Sequence, residues 1–187
     1  MDSLYESLVE MQTTLRRAEI QSAAIGALAV GVWGRGRTTK DVDVKVLLTR
    51  KEAARLVEAV GPEYKCLNDD AVKMLERLGF AFFCDRAGNR IDLLLADTGF
   101  DDIAIARAVK VEVGPGLWAT VCTAEDLIVY KLISTRPRDF EDARNVLMRQ
   151  GNTLHLDYIA KWLRLFEEAL DDSTLVSNFR QMSRLIR

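Results

Sequence analysis

The sequence predicts an α/β (α+β) fold: a small mixed β-sheet flanked by helices, followed by a helical C-terminal lobe. Three observations predict it. Short β-branched or aromatic runs, DVDVKVLL at 41–48, FAFFCD at 80–85 and RIDLLLA at 90–96, alternate with segments of helical periodicity. Glycines and prolines punctuate the boundaries. From Thr123 onward the β-forming runs stop and only helical spacing remains. The expected division is therefore a mixed domain at 1–122 and a helical lobe at 123–187. With 187 residues, 49% of them hydrophobic and 29% charged, the chain has the apolar content of an ordinary globular core.

Leu4, Leu8, Met11 and Leu15 fall at helical spacing, so residues 2–19 read as an amphipathic helix. SAAIGALAVGVW at 22–33 is small and apolar, and its glycines point to a tight turn into a helix. GRGRTTK at 34–40 is a basic loop before the 41–48 strand. Thr49 with Glu52 forms a capping-box signature for a helix over 50–60, ended by Gly61-Pro62. Asn68 is the expected cap of a helix through Leu78, ended by Gly79. The strands at 80–85 and 90–96 are joined by a turn over Asp85–Asn89, and 108–113 pairs with 117–122 around Gly114-Pro115-Gly116. Thr123 caps a helix over 124–135, whose first turn carries Glu125 and Asp126. Pro137 separates it from a helix over 139–150. Ile159, Leu163, Phe166 and Leu170 mark a third helix of this lobe, and Leu175, Phe179 and Met182 a fourth.

Composition excludes several function classes. The net charge of −2 is not that of a general nucleic-acid binder; an RNA acceptor would need a local basic patch. Apolar runs fall well short of the ~20 residues a bilayer span needs, and the first 20 residues have no signal-peptide centre. Cys66, Cys84 and Cys122 lack CxxC spacing, which points to free thiols and a cytoplasmic setting. His155 is the single histidine, which removes most zinc sites and any ordinary Ser-His-Asp triad. GRGRTTK lacks Walker spacing, and no G-x-G-x-x-G follows a strand.

The chemistry lies in the carboxylates. Asp41 and Asp43 are two apart on a predicted strand and so share a face. At about 6 Å and an effective dielectric near 20 their repulsion is of order 2–3 kcal/mol, which a bound cation would relieve. A divalent ion such as Mg²⁺ takes hard oxygens of this kind. A solvated edge strand accounts for the same pattern without an ion. Asp92 stands in an otherwise apolar strand, where an ionised acid needs a partner: an ion, or Arg90 or Arg86.

Ile25-Gly26-Ala27, a spacer, then Asp41-Val42-Asp43, with Asp92 on a later strand, resembles the signature of polymerase-beta-like nucleotidyltransferases. Ala27 stands where that family usually has Gly or Ser. Further matches follow in the stretches EDLIVYKL at 125–132 and RPRDFED at 136–142, and Arg37-Thr38-Thr39-Lys40-Asp41 resembles the family's Arg-x-Thr-x-Asp. Together they resemble the AbiEii/MenT-type, toxin-like branch. The resemblance implies a nucleotidyltransferase core that moves an NMP from an NTP onto an RNA, such as tRNA, or a protein acceptor. It implies Mg²⁺ or Mn²⁺ as cofactor, held by Asp41, Asp43 and Asp92. Gly26, Ala27, Arg35, Arg37, Lys40 and Lys131 would contact nucleotide, Lys131 and Asp142 would join the catalytic set with Asp139 close by, and a toxin would have a cognate antitoxin as partner.

The bland readings stay beside these. Asp139 and Asp142 share the start of one helix and suit its dipole, with Arg136 and Arg138 as counter-charges, while Lys131 reaches out to water. A small-molecule acceptor such as an amino sugar stays open. So does a non-catalytic nucleotide-binding protein on the same fold, which Ala27 favours.

Overall fold

The computed structural model describes residues 2–134 and 136–184. Contacts divide the chain into two compact units: one takes the chain up to Leu28 and Thr38–Cys122, the other Ala29–Arg37 and the chain from Thr123. Residues 29–37, expected within the first domain, thus group with the helical segment; residues 1 and 185–187, the ends of the expected domains, lie outside the described residues.

The first unit is built on a mixed sheet with seven strands among the described residues. In chain order these are β1 (Ser22–Ala24), β2 (Asp41–Val46), β3 (Lys65–Cys66), β4 (Phe80–Cys84), β5 (Arg90–Leu95), β6 (Val109–Gly114) and β7 (Leu117–Val121). Across the sheet the order is β3-β4-β5-β2-β1-β7-β6. β2 and β5 run parallel; β1 is antiparallel to β2, and β4 to β5. Both central strands alternate. Val42, Val44, Val46, Ile91, Leu93 and Leu95 are at most 1% exposed, whereas Asp41, Asp43, Lys45, Asp92 and Leu94 on the other face are half-buried. Period-two alternation is what sends the apolar row to the core and the carboxylates to the opposite face.

Helix α1 (Asp2–Arg17) buries the predicted stripe Leu4, Leu8, Met11 and Leu15 and meets β1, β2 and β7. Its Gln12 side chain bonds both the N–H and the C=O of Thr120 in β7. Thr49 and Glu52 form the predicted capping box, ahead of a short 3₁₀ turn at Arg50–Glu52 and α3 (Ala53–Val60). The next helix, α4 (Ala71–Leu78), starts later than expected. Asp70 caps it by accepting from the Lys73 N–H, and Asn68 instead accepts from the Phe82 N–H of β4. Gly79, at φ +78°, ends α4 as predicted.

Two elements went unread in the sequence: β3 and α5 (Gly99–Arg107). Helix α5 opens on a Thr98–Asp101 capping box. Asp101 is 2% exposed and also pairs with Lys45 of β2 at 2.8 Å. The three cysteines are free.

The second unit is helical. Helix α2 (Gly26–Trp33) begins in the first unit and its later residues fall in this one. Then come α6 (Ala124–Leu132), α7 (Pro137–Gln150), α8 (Leu156–Leu170) and α9 (Leu175–Ser183). Thr123 caps α6 as predicted, but the helix stops at Leu132; its expected end, residue 135, lies outside the described residues. Pro137 occupies the first turn of α7, where its missing N–H costs nothing, so α7 begins at the proline and not after it. Glu125 and Asp126 do more than suit a dipole. Both are buried: Asp126 accepts from the Tyr158 hydroxyl at 2.6 Å and Glu125 from the His155 N–H at 3.2 Å, which ties α8 to the start of α6. No described helix is long and apolar enough to cross a membrane.

Candidate functional site

The β2–β5 register brings the predicted carboxylates of the first unit together. Asp43 lies directly opposite Asp92, and Asp41 opposite Arg90. Neighbouring strands are about 4.8 Å apart, so Asp43 and Asp92 stand side by side on one face. Two carboxylates about 5 Å apart at an effective dielectric near 20 repel by about 3 kcal/mol.

Gly26 sets the other boundary. It has φ +66° and opens α2, and a Cβ there would sit 1.9 Å from Asp43 Oδ2. Only glycine allows both that backbone conformation and that approach. The start of a helix is thereby placed against the carboxylate strand. Ala27, next along, is buried.

Local partners hold Asp41 and Asp92. Asp41 Oδ1 accepts from the Thr39 hydroxyl at 2.6 Å. Asp92 is gripped at both oxygens by the Arg90 guanidinium, Nε to Oδ1 at 2.6 Å and NH2 to Oδ2 at 2.8 Å. Arg90 is thus the counter-charge the sequence allowed for; Arg86 meets Glu63 instead. The guanidinium also lies over the Phe82 ring, 4.1 Å from its centroid. The hydrogen-bonded Asp92, with Asp41 and Asp43 near it, holds Arg90 above its ordinary range despite some burial. Lys45 on the same face pairs with Asp101 at 2.8 Å.

The donor chemistry suits a hard divalent cation, since it consists of carboxylate oxygens without thiolate or imidazole. The cluster is not preformed: among the described residues no three of His, Cys, Asp and Glu are gathered closely enough to hold an ion as they stand. A groove of about 460 Å³ in this unit, lined by Glu6, Glu10, Tyr64 and Asp85 among others, contains none of the three acids.

In the second unit, Lys131 lies between two carboxylates of α7, 2.5 Å from Asp139 Oδ1 and 3.0 Å from Asp142 Oδ2. Its side chain is 9% exposed, so it does not reach out to water. The partner of Asp142 on its other side is Arg37, whose Nε and NH2 both bond the carboxylate at 3.1–3.2 Å. Ser134 donates to Asp139 at 2.6 Å. Burial alone would raise the Asp139 carboxyl; the bonds from Lys131 and Ser134 and the charges of Lys131 and Arg136 outweigh it and hold the group below its ordinary value. Arg35 and Lys40 of the basic loop are exposed. Sequence reasoning placed Asp139, Asp142 and Lys131 near one another but missed that Arg37, 105 residues upstream of Asp142, completes the group.

No family model matches the chain, and no curated protein matches it. Solved structures do. The antibiotic-resistance factor ANT(2'')-Ia, known from a solution structure, aligns at TM-score 0.59 with 12% identity, over 91% of this chain and 97% of that one. An antigenic nucleotidyltransferase-like protein from Paracoccidioides brasiliensis aligns at 0.56 with 13% identity, over 96% and 93%. JHP933 from Helicobacter pylori aligns at 0.51 with 14% identity, over 99% and 89%. Such identities speak for architecture alone. This chain has the nucleotidyltransferase fold.

Proposed function

We propose that this chain is a metal-dependent nucleotidyltransferase that moves a nucleoside monophosphate from an NTP onto an RNA, such as tRNA, or a protein acceptor, as the toxin of a toxin–antitoxin pair. The observation that carries the enzymatic part is the register of Asp43 against Asp92, with Asp41 on the same face and Gly26 opening a helix against Asp43. The toxin role and the acceptor rest on the sequence resemblance to the AbiEii/MenT-type branch.

Asp41, Asp43 and Asp92 would hold Mg²⁺ or Mn²⁺, which when bound supplies charge neutralisation at the phosphates. The N–H groups at the start of α2, from Gly26 and Ala27, would receive phosphate oxygens. Exposed Arg35 and Lys40, close to Asp41 along the chain, add positive charge for the triphosphate. Once its oxygens are released from Arg90, Asp92 would take the proton of the acceptor hydroxyl as that oxygen attacks the α-phosphorus and pyrophosphate leaves. Lys131, Asp142 and Arg37 form a buried group, so Lys131 acts on nucleotide only by leaving two carboxylates; fixing Asp142 and Arg37 is the role its contacts favour.

A second reading is a non-catalytic nucleotide-binding protein on this fold. Ala27 and the closed state of Asp92 favour it. One experiment separates the two: incubation with each α-labelled NTP, Mg²⁺ and total RNA, cell lysate or an amino sugar. Transfer of label by the wild type, and its loss in a folded Asp43→Ala variant, is the expected result. Absence of label on every acceptor, or wild-type-like transfer by Asp43→Ala, overturns the enzymatic reading.

A further inference from the structure

We infer that Arg90 is an internal counter-cation that closes Asp92 while the site is empty of metal and must be displaced from it when metal enters, so that this one side chain sets the metal affinity of the site. The inference rests on the metal-site reading above and deepens it. A single guanidinium bonds both oxygens of Asp92. An Arg fork matched to a carboxylate is the geometry that most fully occupies it. The arrangement is built by register: Phe82 pairs with Asp92 on one side and Asp41 with Arg90 on the other. The Phe82 ring lies under the guanidinium and serves as a shelf that holds its edge against Asp92.

The exposures of the pair differ in the sense that displacement needs. The Arg90 side chain is 45% exposed and Asp92 13%. The cation can therefore move into water, while the acid stays on the sheet. An ordinary exposed ion pair two residues apart on a strand would contribute little and would answer to no ligand.

The test is Mn²⁺ affinity without nucleotide, measured by titration calorimetry and by the loss of the free-ion paramagnetic resonance signal. Removing any nearby positive charge tightens metal binding, so Arg90→Gln alone proves nothing; it is included as the charge control and should bind roughly tenfold tighter. The informative variants keep every charge. Arg90→Lys retains the cation but loses the fork. Phe82→Leu retains the fork but loses the shelf. Each is expected to bind Mn²⁺ roughly two- to fivefold tighter than wild type.

Wild-type affinity in both Arg90→Lys and Phe82→Leu, with tightening confined to Arg90→Gln, overturns the inference and leaves only general electrostatics. In a separate titration, weaker binding of a non-hydrolysable ATP analogue by the Arg90 variants at unchanged Mn²⁺ affinity also overturns it, since Arg90 would then be a phosphate contact. Asp43→Asn keeps the two failures apart. If it abolishes Mn²⁺ binding while the Arg90 and Phe82 variants behave as wild type, the metal site stands and only the inference falls. If wild type binds no Mn²⁺, or Asp43→Asn binds it as wild type does, the metal site itself falls, and the inference with it. Thermal melts of each variant exclude loss of fold as the cause.

Discussion

The two acidic groups of this chain are built on opposite principles. In the second unit Asp139 and Asp142 face Lys131 and Arg37, two charges against two, with every side chain of the group at least three-quarters buried. In the first unit Asp43 and Asp92 lie side by side on the sheet, and the guanidinium that bonds Asp92 is 45% exposed. A balanced, buried group is an internal tie: it holds elements together and breaking it strands a charge. A half-buried group of adjacent acids stores repulsion that a ligand can relieve. Both groups draw their acids from aspartate alone, so the contrast lies in partners and burial and not in residue type.

The largest expected effect tests the tie. Lys131→Ala leaves Asp139 and Asp142 with less than their full counter-charge and should destabilise the fold by about 3–5 kcal/mol. At this chain length that lowers the melting temperature by roughly 6–20 °C. A melting temperature within a degree or two of wild type would make Lys131 a dispensable cation, available to a nucleotide after all.

Removing acids from the first unit should do the opposite. In EDTA the Asp41→Asn/Asp43→Asn double variant is expected to gain about 1–2 kcal/mol, roughly 2–8 °C, because the shapes are kept and the repulsion goes. Asn can still accept from Thr39, which preserves that bond. Mg²⁺ with NTP should then stabilise the wild type by mass action and leave the variant nearly unmoved. A variant that melts below wild type in EDTA would place its acids among the structural ones.

The smallest effect is in pH. Asp139 is held below its ordinary value of 3.8 in the folded protein. The unfolded chain therefore binds more protons around and below pH 4. The stability from this group is full above that pH and is lost as pH falls through the folded-state value. Between pH 5 and pH 3, Asp139→Asn should lose less of its own stability than wild type does. Parallel acid-melting profiles for the two proteins would remove Asp139 from the tie.

Local signals carried the sequence a long way. The capping box at Thr49 and Glu52, the Gly79 stop and the Thr123 cap are decided within four residues, where the backbone and one side chain meet regardless of the rest of the fold. The valine and leucine alternation in 41–48 and 90–96 likewise required that one face be buried and the acids share the other. Asn68 was misread because Asp70, two residues on, competes for the same helix start, and the N–H of Phe82 claims the asparagine.

What the sequence determined by itself is therefore the set of elements with strong local punctuation and the face on which each acid lies. Only the tertiary structure decided which strands are neighbours, and hence that Asp43 stands beside Asp92 and Arg90 beside Asp41. It alone set Gly26 against Asp43, paired Arg37 with Asp142 and Lys45 with Asp101, and turned Lys131 inward. The physical reason is range. Capping and periodicity act over a few residues of one segment, whereas charge pairing and close approach depend on distances that packing imposes between segments 8 to 105 residues apart.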